Sequence, residues 1–405
     1  MLIELDRLRF IPFALMLVVG LYMAINLVVM EMPLMSYALL AMTLSGTLFT
    51  FVLIIRQRTI TLTDFVLLVF IAVVMVASFV YDTDWKEWIY VSFTICFLRF
   101  MFNFYRNNLL PLLVGLTIGF TIGVFAQLHQ LLTHPELWVI TDDKEVTGYL
   151  LGGNYNQMGI CLLAALLLTM LCTKISRKFF ILFIPTALAC IVIPLIVGSM
   201  TAVTSIILFL LLCIVPSSRL RRISVTVLLV SVLLFQLFVC FNGKGIEDND
   251  LLVWFIEDVL GKDITFTNRT HMWDSALRAI VDSPLIGYGY PDADWYRSNL
   301  TSFAIGPHNV MLGVLIYGGV IAFIIYIYLL FNSFIQSFRI RDYWADVILI
   351  GMAVLCLMML MEVYSVSIIF TFFTLAEYYP QLHNQIASRH EQYARKSDGE
   401  KLIYS

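Results

Sequence analysis

Residues 62–80 read LTDFVLLVFIAVVMVASFV, with one charged side chain, Asp64, near the start and none in the sixteen positions after it. An α-helix rising ~1.5 Å per residue crosses the ~30 Å hydrocarbon layer in ~20 residues. A run of this length with no polar face has no place on a soluble helix. It reads as a membrane span. Working outward, similar apolar segments fall at 10–30, 34–55, 88–105, 109–132, 155–173, 179–198, 200–216, 223–241, 308–331, 345–361 and 363–379. The last two are separated only by Glu362 and Tyr364 within a long apolar stretch.

The whole chain agrees with this reading. Of its 405 residues, 60% are hydrophobic and 13% charged, and the mean hydropathy is +0.90. A soluble domain carries about 25% charged residues, so a soluble enzyme and a secreted disulfide scaffold are excluded. The net charge of −3 also excludes a nucleic-acid binder. The expected fold is all-α and polytopic, with about twelve transmembrane helices. The seven cysteines lie in or beside apolar segments without a Cys-x-x-Cys pair, and they read as small packing residues. Arg7 and Arg9 precede the apolar run from Phe10 to Met30, which is longer than a signal-peptide core and reads as a retained first span.

With the N-terminus inside, 18 of the 25 Lys and Arg residues fall in cytoplasmic segments. The positive-inside rule then sets both termini in the cytoplasm. The expected organisation is spans one to nine over 1–241, an external loop over 242–307, three further spans over 308–380, and a cytoplasmic tail over 381–405. A second, shorter external loop at 133–154 is acidic. Within 242–307, residues 251–260 and 270–282 show helical apolar spacing and carry Trp254 and Trp273, as in short helices lying on a membrane surface. Asn268 or Thr270 is suited to cap the second of these, and Ser283-Pro284 to stop it.

Ionisable residues are scarce at mid-depth, which argues against an ion-driven transporter. Polar residues gather instead at the external face: Asn268-Arg269-Thr270-His271-Met272-Trp273, then Ser283-Pro284-Leu285-Ile286-Gly287-Tyr288-Gly289-Tyr290, then Gly306-Pro307-His308-Asn309. His308 and Asn309 stand where the loop enters a membrane helix, with Pro307 placed for its first turn. Free amides at that helix start favour phosphate. Arg269 offers a planar fork for a diphosphate leaving group, and His308 a base toward an acceptor hydroxyl. The alternative is that His308 caps the helix and Arg269 anchors to headgroups. No His, Asp or Glu set has metal-ligand spacing, so neither metal nor other cofactor is expected.

At these residues the chain resembles the O-antigen ligase/polymerase family of bacterial envelope glycosyltransferases. Those proteins share a Gly-Arg-Thr-x-x-Trp pattern, then Ser-Pro-Leu-x-Gly-x-Gly, then His-Asn-x-x-Leu followed by closely packed glycines, here Gly318-Gly319. Gly153-Asn154-Tyr155-Asn156-Gln157 and Val197-Gly198-Ser199-Met200-Thr201-Ala202 are weaker matches. The resemblance implies a GT-C-like membrane glycosyltransferase in the bacterial inner membrane. It would move a glycan from undecaprenyl diphosphate to an acceptor hydroxyl at the outer face, without metal. It makes Arg269 and His308 catalytic, and puts Asn309, Arg278, Arg297, Trp273, Tyr288 and Asn156 at the substrate. The partners implied are the lipid-linked donor, a glycan or lipid-linked acceptor, membrane lipids and other polysaccharide-assembly proteins, with no nucleic acid.

One departure stands out: relatives often carry a second phosphate-binding Arg where this chain has Met200, so either Arg278, Arg297 or Lys262 supplies that charge or the diphosphate is held by one Arg and helix amides. The form of the motifs resembles polymerases of exopolysaccharide and capsule. The alternatives are a ligase acting on lipid A-core and a transporter of polyprenyl-linked glycans.

Overall fold

The computed structural model describes residues 7–25, 33–134, 147–246, 248–254, 257–258 and 268–403. Most of the acidic loop, Lys144, Lys262 and the second half of the helix expected over 251–260 lie outside the described residues. The chain folds into helices α1 (Arg7–Ala24), α2 (Pro33–Gln57), α3 (Leu62–Val80), α4 (Trp85–Phe104), α5 (Leu110–Thr133), α6 (Met158–Ile175), α7 (Phe180–Ile196), α8 (Met200–Ile214), α9 (Ser218–Phe235), α10 (Asp250–Trp254), α11 (Arg269–Asp282), α12 (Ala293–Asn299), α13 (Val310–Phe338), α14 (Tyr343–Met358) and α15 (Val366–Ile403). A two-stranded antiparallel hairpin, β1 (Thr147–Tyr149) and β2 (Gly153–Asn154), leads into α6.

The protein is an all-α polytopic membrane protein. Among the described residues, seven helices are long and apolar enough to cross a membrane by themselves. The five other apolar segments are also helical. Of these, α1, α8 and α14 are shorter, while α4 carries Lys86, Glu87 and Arg99, and α15 runs into a polar tail. The outer helices turn apolar side chains outward, such as Phe49 and Val52 on α2 and Ile181, Ile184 and Leu188 on α7. On a soluble protein such a belt would be a liability; here it is the lipid-facing surface.

At the centre stand α6 and α14, buried on nearly every face. Their packing uses small residues: Gly351 lets Leu167 and Phe209 approach, and Gly159 sits against Ala202 and Met358. The same device joins α1 to α5. Gly115, Gly119 and Gly123 recur every fourth residue and form one stripe on α5. A Cβ at Gly119 would lie 2.6 Å from the Leu17 carbonyl, and one at Gly123 2.8 Å from Ala24 Cβ. The cysteines serve as packing residues, all seven being buried and free.

One end of the bundle is where the 268–309 segment emerges, called here the loop end. The opposite end is held by buried ion pairs. Arg99 donates to Asp64 at 2.6 Å and reaches both Glu377 oxygens at 2.6 and 2.7 Å, joining α3, α4 and α15. Asp64 also closes a capping box with Thr61 at the start of α3. Asp346 on α14 accepts from Arg221 and Arg222 of α9 at 2.9 and 2.7 Å. Between α13 and α14, Asp342 meets Lys174, Tyr379 and His383 within 2.9 Å.

Candidate functional site

At the loop end, three segments far apart in sequence converge. The first is α11. It begins after Asn268, whose φ of 64° places it in the left-handed region, where Asn is among the few tolerant residues. Neither Asn268 nor Thr270 makes a side-chain cap. Arg269 is thereby set on the first turn, half-buried. Met272, Trp273 and Ala276 form the helix's buried face, and Ser283 ends it, as Ser-Pro should.

The following turn is built into the membrane bundle. Helix α13 is broken at Gly318 and Gly319, the latter at φ 60° and ψ −160°, a conformation open only to glycine. The break frees backbone groups, and the 284–289 turn takes them. Tyr288 N donates to the Ile316 carbonyl at 2.7 Å, Gly289 N to Tyr317 at 2.9 Å, and Val320 N to Pro284 at 2.8 Å. A Cβ on Gly287 would strike the Ile316 carbonyl, and one on Gly319 the Leu285 carbonyl. Gly318 also packs closely, a Cβ there lying 3.2 Å from Val73 and 3.3 Å from Val74 of α3, so the pair both admits α3 and opens the helix to receive the loop. The α3–α4 turn holds the other side, through Thr83 Oγ1 to Tyr288 O at 2.8 Å and Tyr290 N to Ser78 Oγ at 2.9 Å.

The second segment carries His308. Helix α13 starts at Val310 with Asn309 as its N-cap, so Pro307 lies before the helix and not in its first turn. Asn309 is fully buried. Its Oδ1 accepts from Leu312 N at 3.0 Å, and its Nδ2 donates to Gln236 Oε1 at 2.8 Å and to Leu360 O at 3.1 Å. Gln236 opens a single π-helical turn, Gln236–Cys240, at the end of α9. With Asn309 fixed on three sides, His308 is held at φ 44°, a strained backbone for a residue with a Cβ.

The third segment is the turn between α14 and α15, which carries Glu362, buried at 5% exposure. Glu362 Oε1 lies 2.8 Å from His308 Nδ1 and Oε2 lies 3.7 Å from Arg269 Nη2. The approach to His308 is short but off the line of a hydrogen bond. The approach to Arg269 is a loose ion pair that leaves guanidinium donors uncommitted. Glu362 therefore stands between the two residues expected to react, although in the sequence it marks only a break between two apolar segments. Its signal was present: a lone carboxylate inside a long apolar stretch is costly and marks function.

The other expected substrate contacts are placed differently. Arg278 is nine residues after Arg269, half a turn away around α11, and pairs with Asp274 at 2.5 Å on the exposed face. Arg297 is also exposed and pairs with Asp294 at 3.1 Å on α12. Trp273 is wholly buried. Tyr288 spends its hydroxyl on the Ala279 carbonyl at 2.9 Å and packs its ring on Tyr81 and Trp295. Asn156 is half-buried in the turn before α6. Met200 is exposed at the start of α8, beside Ser199, whose buried hydroxyl lacks a hydrogen-bond partner. Of the expected site residues, Arg269 and His308 converge; Asn309, Trp273 and Tyr288 build the scaffold under them; Arg278 and Arg297 point elsewhere.

Beyond Glu362, Val363 and Tyr364 form one wall of a cavity of about 670 Å³, bounded also by the loop-end turns of α1, α4 and α6 and by the 290–305 segment. Among the described residues, no group of His, Cys, Asp and Glu is arranged to hold a metal ion.

Residues 148–327 match the family model described as O-antigen ligase. No curated protein matches the chain. The matched stretch runs from β1 into α13, so it contains Arg269, the docked 284–289 turn and His308, while Glu362 lies beyond it.

Proposed function

From the O-antigen ligase domain that residues 148–327 form, we propose that the protein is a glycosyltransferase of the bacterial inner membrane that polymerises repeat units carried on undecaprenyl diphosphate. The observation that carries this reading is the convergence of His308, Glu362 and Arg269 at one end of a polytopic bundle. On this reading all twelve apolar helices cross the membrane in a GT-C-like arrangement. Both termini are cytoplasmic, and 242–307 is the external loop.

The chemistry follows from the geometry. On this reading the Glu362 carboxylate, 2.8 Å from His308 Nδ1, aligns with that nitrogen when substrate binds and holds the imidazole proton there, leaving Nε2 as the base. Nε2 takes the proton of an acceptor hydroxyl as its oxygen attacks the anomeric carbon of the donor sugar. The bond from that carbon to the diphosphate oxygen breaks, and undecaprenyl diphosphate departs with its negative charge against the Arg269 guanidinium. Of the expected cations among the described residues, Arg269 alone stands at the site, so helix-start amides and Arg269 together would carry the diphosphate. No step asks for a metal.

A ligase acting on lipid A-core would use the same groups. The test is the purified protein in liposomes with lipid-linked oligosaccharide, products being resolved on a gel. A ladder of lengthening lipid-linked chains is expected, lost in His308→Ala and Arg269→Ala. Transfer only after lipid A-core is added would make the protein a ligase. Movement of intact donor across the bilayer, unaffected by His308→Ala, would make it a transporter.

A further inference from the structure

The cavity beyond Glu362 has a wall chemistry of its own. Tyr90, Tyr290, Tyr296, Tyr317 and Tyr364 line it, and Glu87 opens onto it. Tyr290 and Tyr317 rings stand 5.2 Å apart. The Tyr296 hydroxyl, on a side chain 4% exposed, faces the Tyr317 hydroxyl. Burial raises the Tyr290 and Tyr296 hydroxyls well above their ordinary range, so both stay neutral donors.

These features select among possible occupants. Among the described residues the lining holds no Lys, Arg or His, which disfavours a phosphate or diphosphate. A polyprenyl chain would want a uniformly apolar wall, and would leave several hydroxyls and a carboxylate desolvated without partners. A sugar ring presents apolar C–H faces and a rim of hydroxyls. Tyrosine offers the matching pair, a ring face and a polar tip, and a carboxylate accepts from sugar hydroxyls. The volume falls in the ~300–1,000 Å³ range of ligand pockets, and the wall shares Val363 and Tyr364 with the Glu362 turn.

We infer that this tyrosine-lined cavity is a glycan subsite, taking the neutral sugars next to the reacting hydroxyl or next to the reacting anomeric carbon, with Glu87 and Tyr90 as specificity-determining residues. The carboxylate of Glu87 would repel uronic acids and favour neutral or amine-bearing sugars. This inference rests on the glycosyltransferase reading for its place in a reaction, though not for its binding chemistry.

The test uses the whole purified protein and the oligosaccharide released by mild acid from the lipid-linked material of the cells that make it. Calorimetry should show binding to wild type and to His308→Ala alike, with Kd raised about tenfold or more in Tyr90→Ala and in Glu87→Gln. Tyr90→Phe, which keeps the ring, should recover most of that loss; Glu87→Gln, on an exposed side chain, guards against a folding defect. In transfer assays, a raised KM for acceptor at saturating donor assigns the cavity to the acceptor, and a raised KM for donor assigns it to the donor glycan. Unchanged affinity in both variants, or displacement of the sugar by undecaprenyl phosphate, overturns the inference. Binding that depends on Glu87 and Tyr90 in a protein with no transfer activity would sink the proposed function and leave the subsite standing.

Discussion

At the scale of single residues, Glu362 is the hinge of the account. Its carboxylate lies 2.8 Å from His308 Nδ1 and 3.7 Å from Arg269 Nη2, and in the proposed mechanism it orients the first and restrains the second. Replacing it with Gln should lower turnover by about 10²-fold or more, with the KM for donor little changed, because Arg269 remains. A purely structural role would instead show as a lower melting temperature with normal turnover in the folded fraction. Asn309 is the opposite case, a residue whose importance is support. Asn309→Ala would remove the cap of α13 and strand Gln236 Oε1 and Leu360 O in a buried setting, at a cost of about 1–3 kcal/mol. The expected outcome is a lower melting temperature together with weakened activity as His308 relaxes from its left-handed backbone. At this scale the sequence singled out His308 and Arg269 by residue type and position, and the fold brings the two together. The sequence was not legible where a role comes from partners: Glu362 meets His308 and Arg269 only because the α14–α15 turn and the external loop fold to the same end. The direction of Arg278 could have been read, since nine helical residues reverse the face.

At the scale of elements, the broken helix α13 and the 284–289 turn act as one part. Spacing predicted a span here, and the span is present. The glycine pair's backbone, however, is set by a loop that arrives from earlier in the chain, which no local pattern reveals. Gly319→Ala would force a Cβ against the Leu285 carbonyl and into a backbone conformation costing about 1–3 kcal/mol. Limited proteolysis should then cut within the loop at 268–309 while the helical content by circular dichroism is retained. Loss of helix throughout would show that the break is not a local joint. The α1–α5 stripe makes a parallel case: Gly119→Leu would push Leu17 away, and cross-linking between these helices should fall.

For the whole molecule, charge separates the two ends. The loop end holds the loosely paired Arg269 and the open cavity, whereas at the opposite end Arg99, Arg221 and Arg222 are held in short, buried pairs. Arg99, which the sequence places near the cytoplasmic end of its span, is held by Asp64 and Glu377. It is not part of a cationic path, so it lends no support to transport. Arg99→Met should destabilise the protein by about 3–5 kcal/mol through two uncompensated carboxylates, read as a lower melting temperature in detergent. The protein that survives should transfer glycan normally. The apolar segments and their order were legible in composition and periodicity, because hydrocarbon admits few alternatives to the helix. Which helices sit at the centre was not, since the central α6 and α14 are less apolar than α7, which faces lipid.

The most direct measurement is stoichiometry at the reacting centre. Purified protein in liposomes would be given lipid-linked oligosaccharide, and mass spectrometry would count undecaprenyl diphosphate released against glycosidic bonds formed. The account predicts one released for each bond in wild type. It predicts a rate lower by about 10²–10⁴-fold in His308→Ala, with donor still bound. Wild-type release and bond formation in His308→Ala would contradict it.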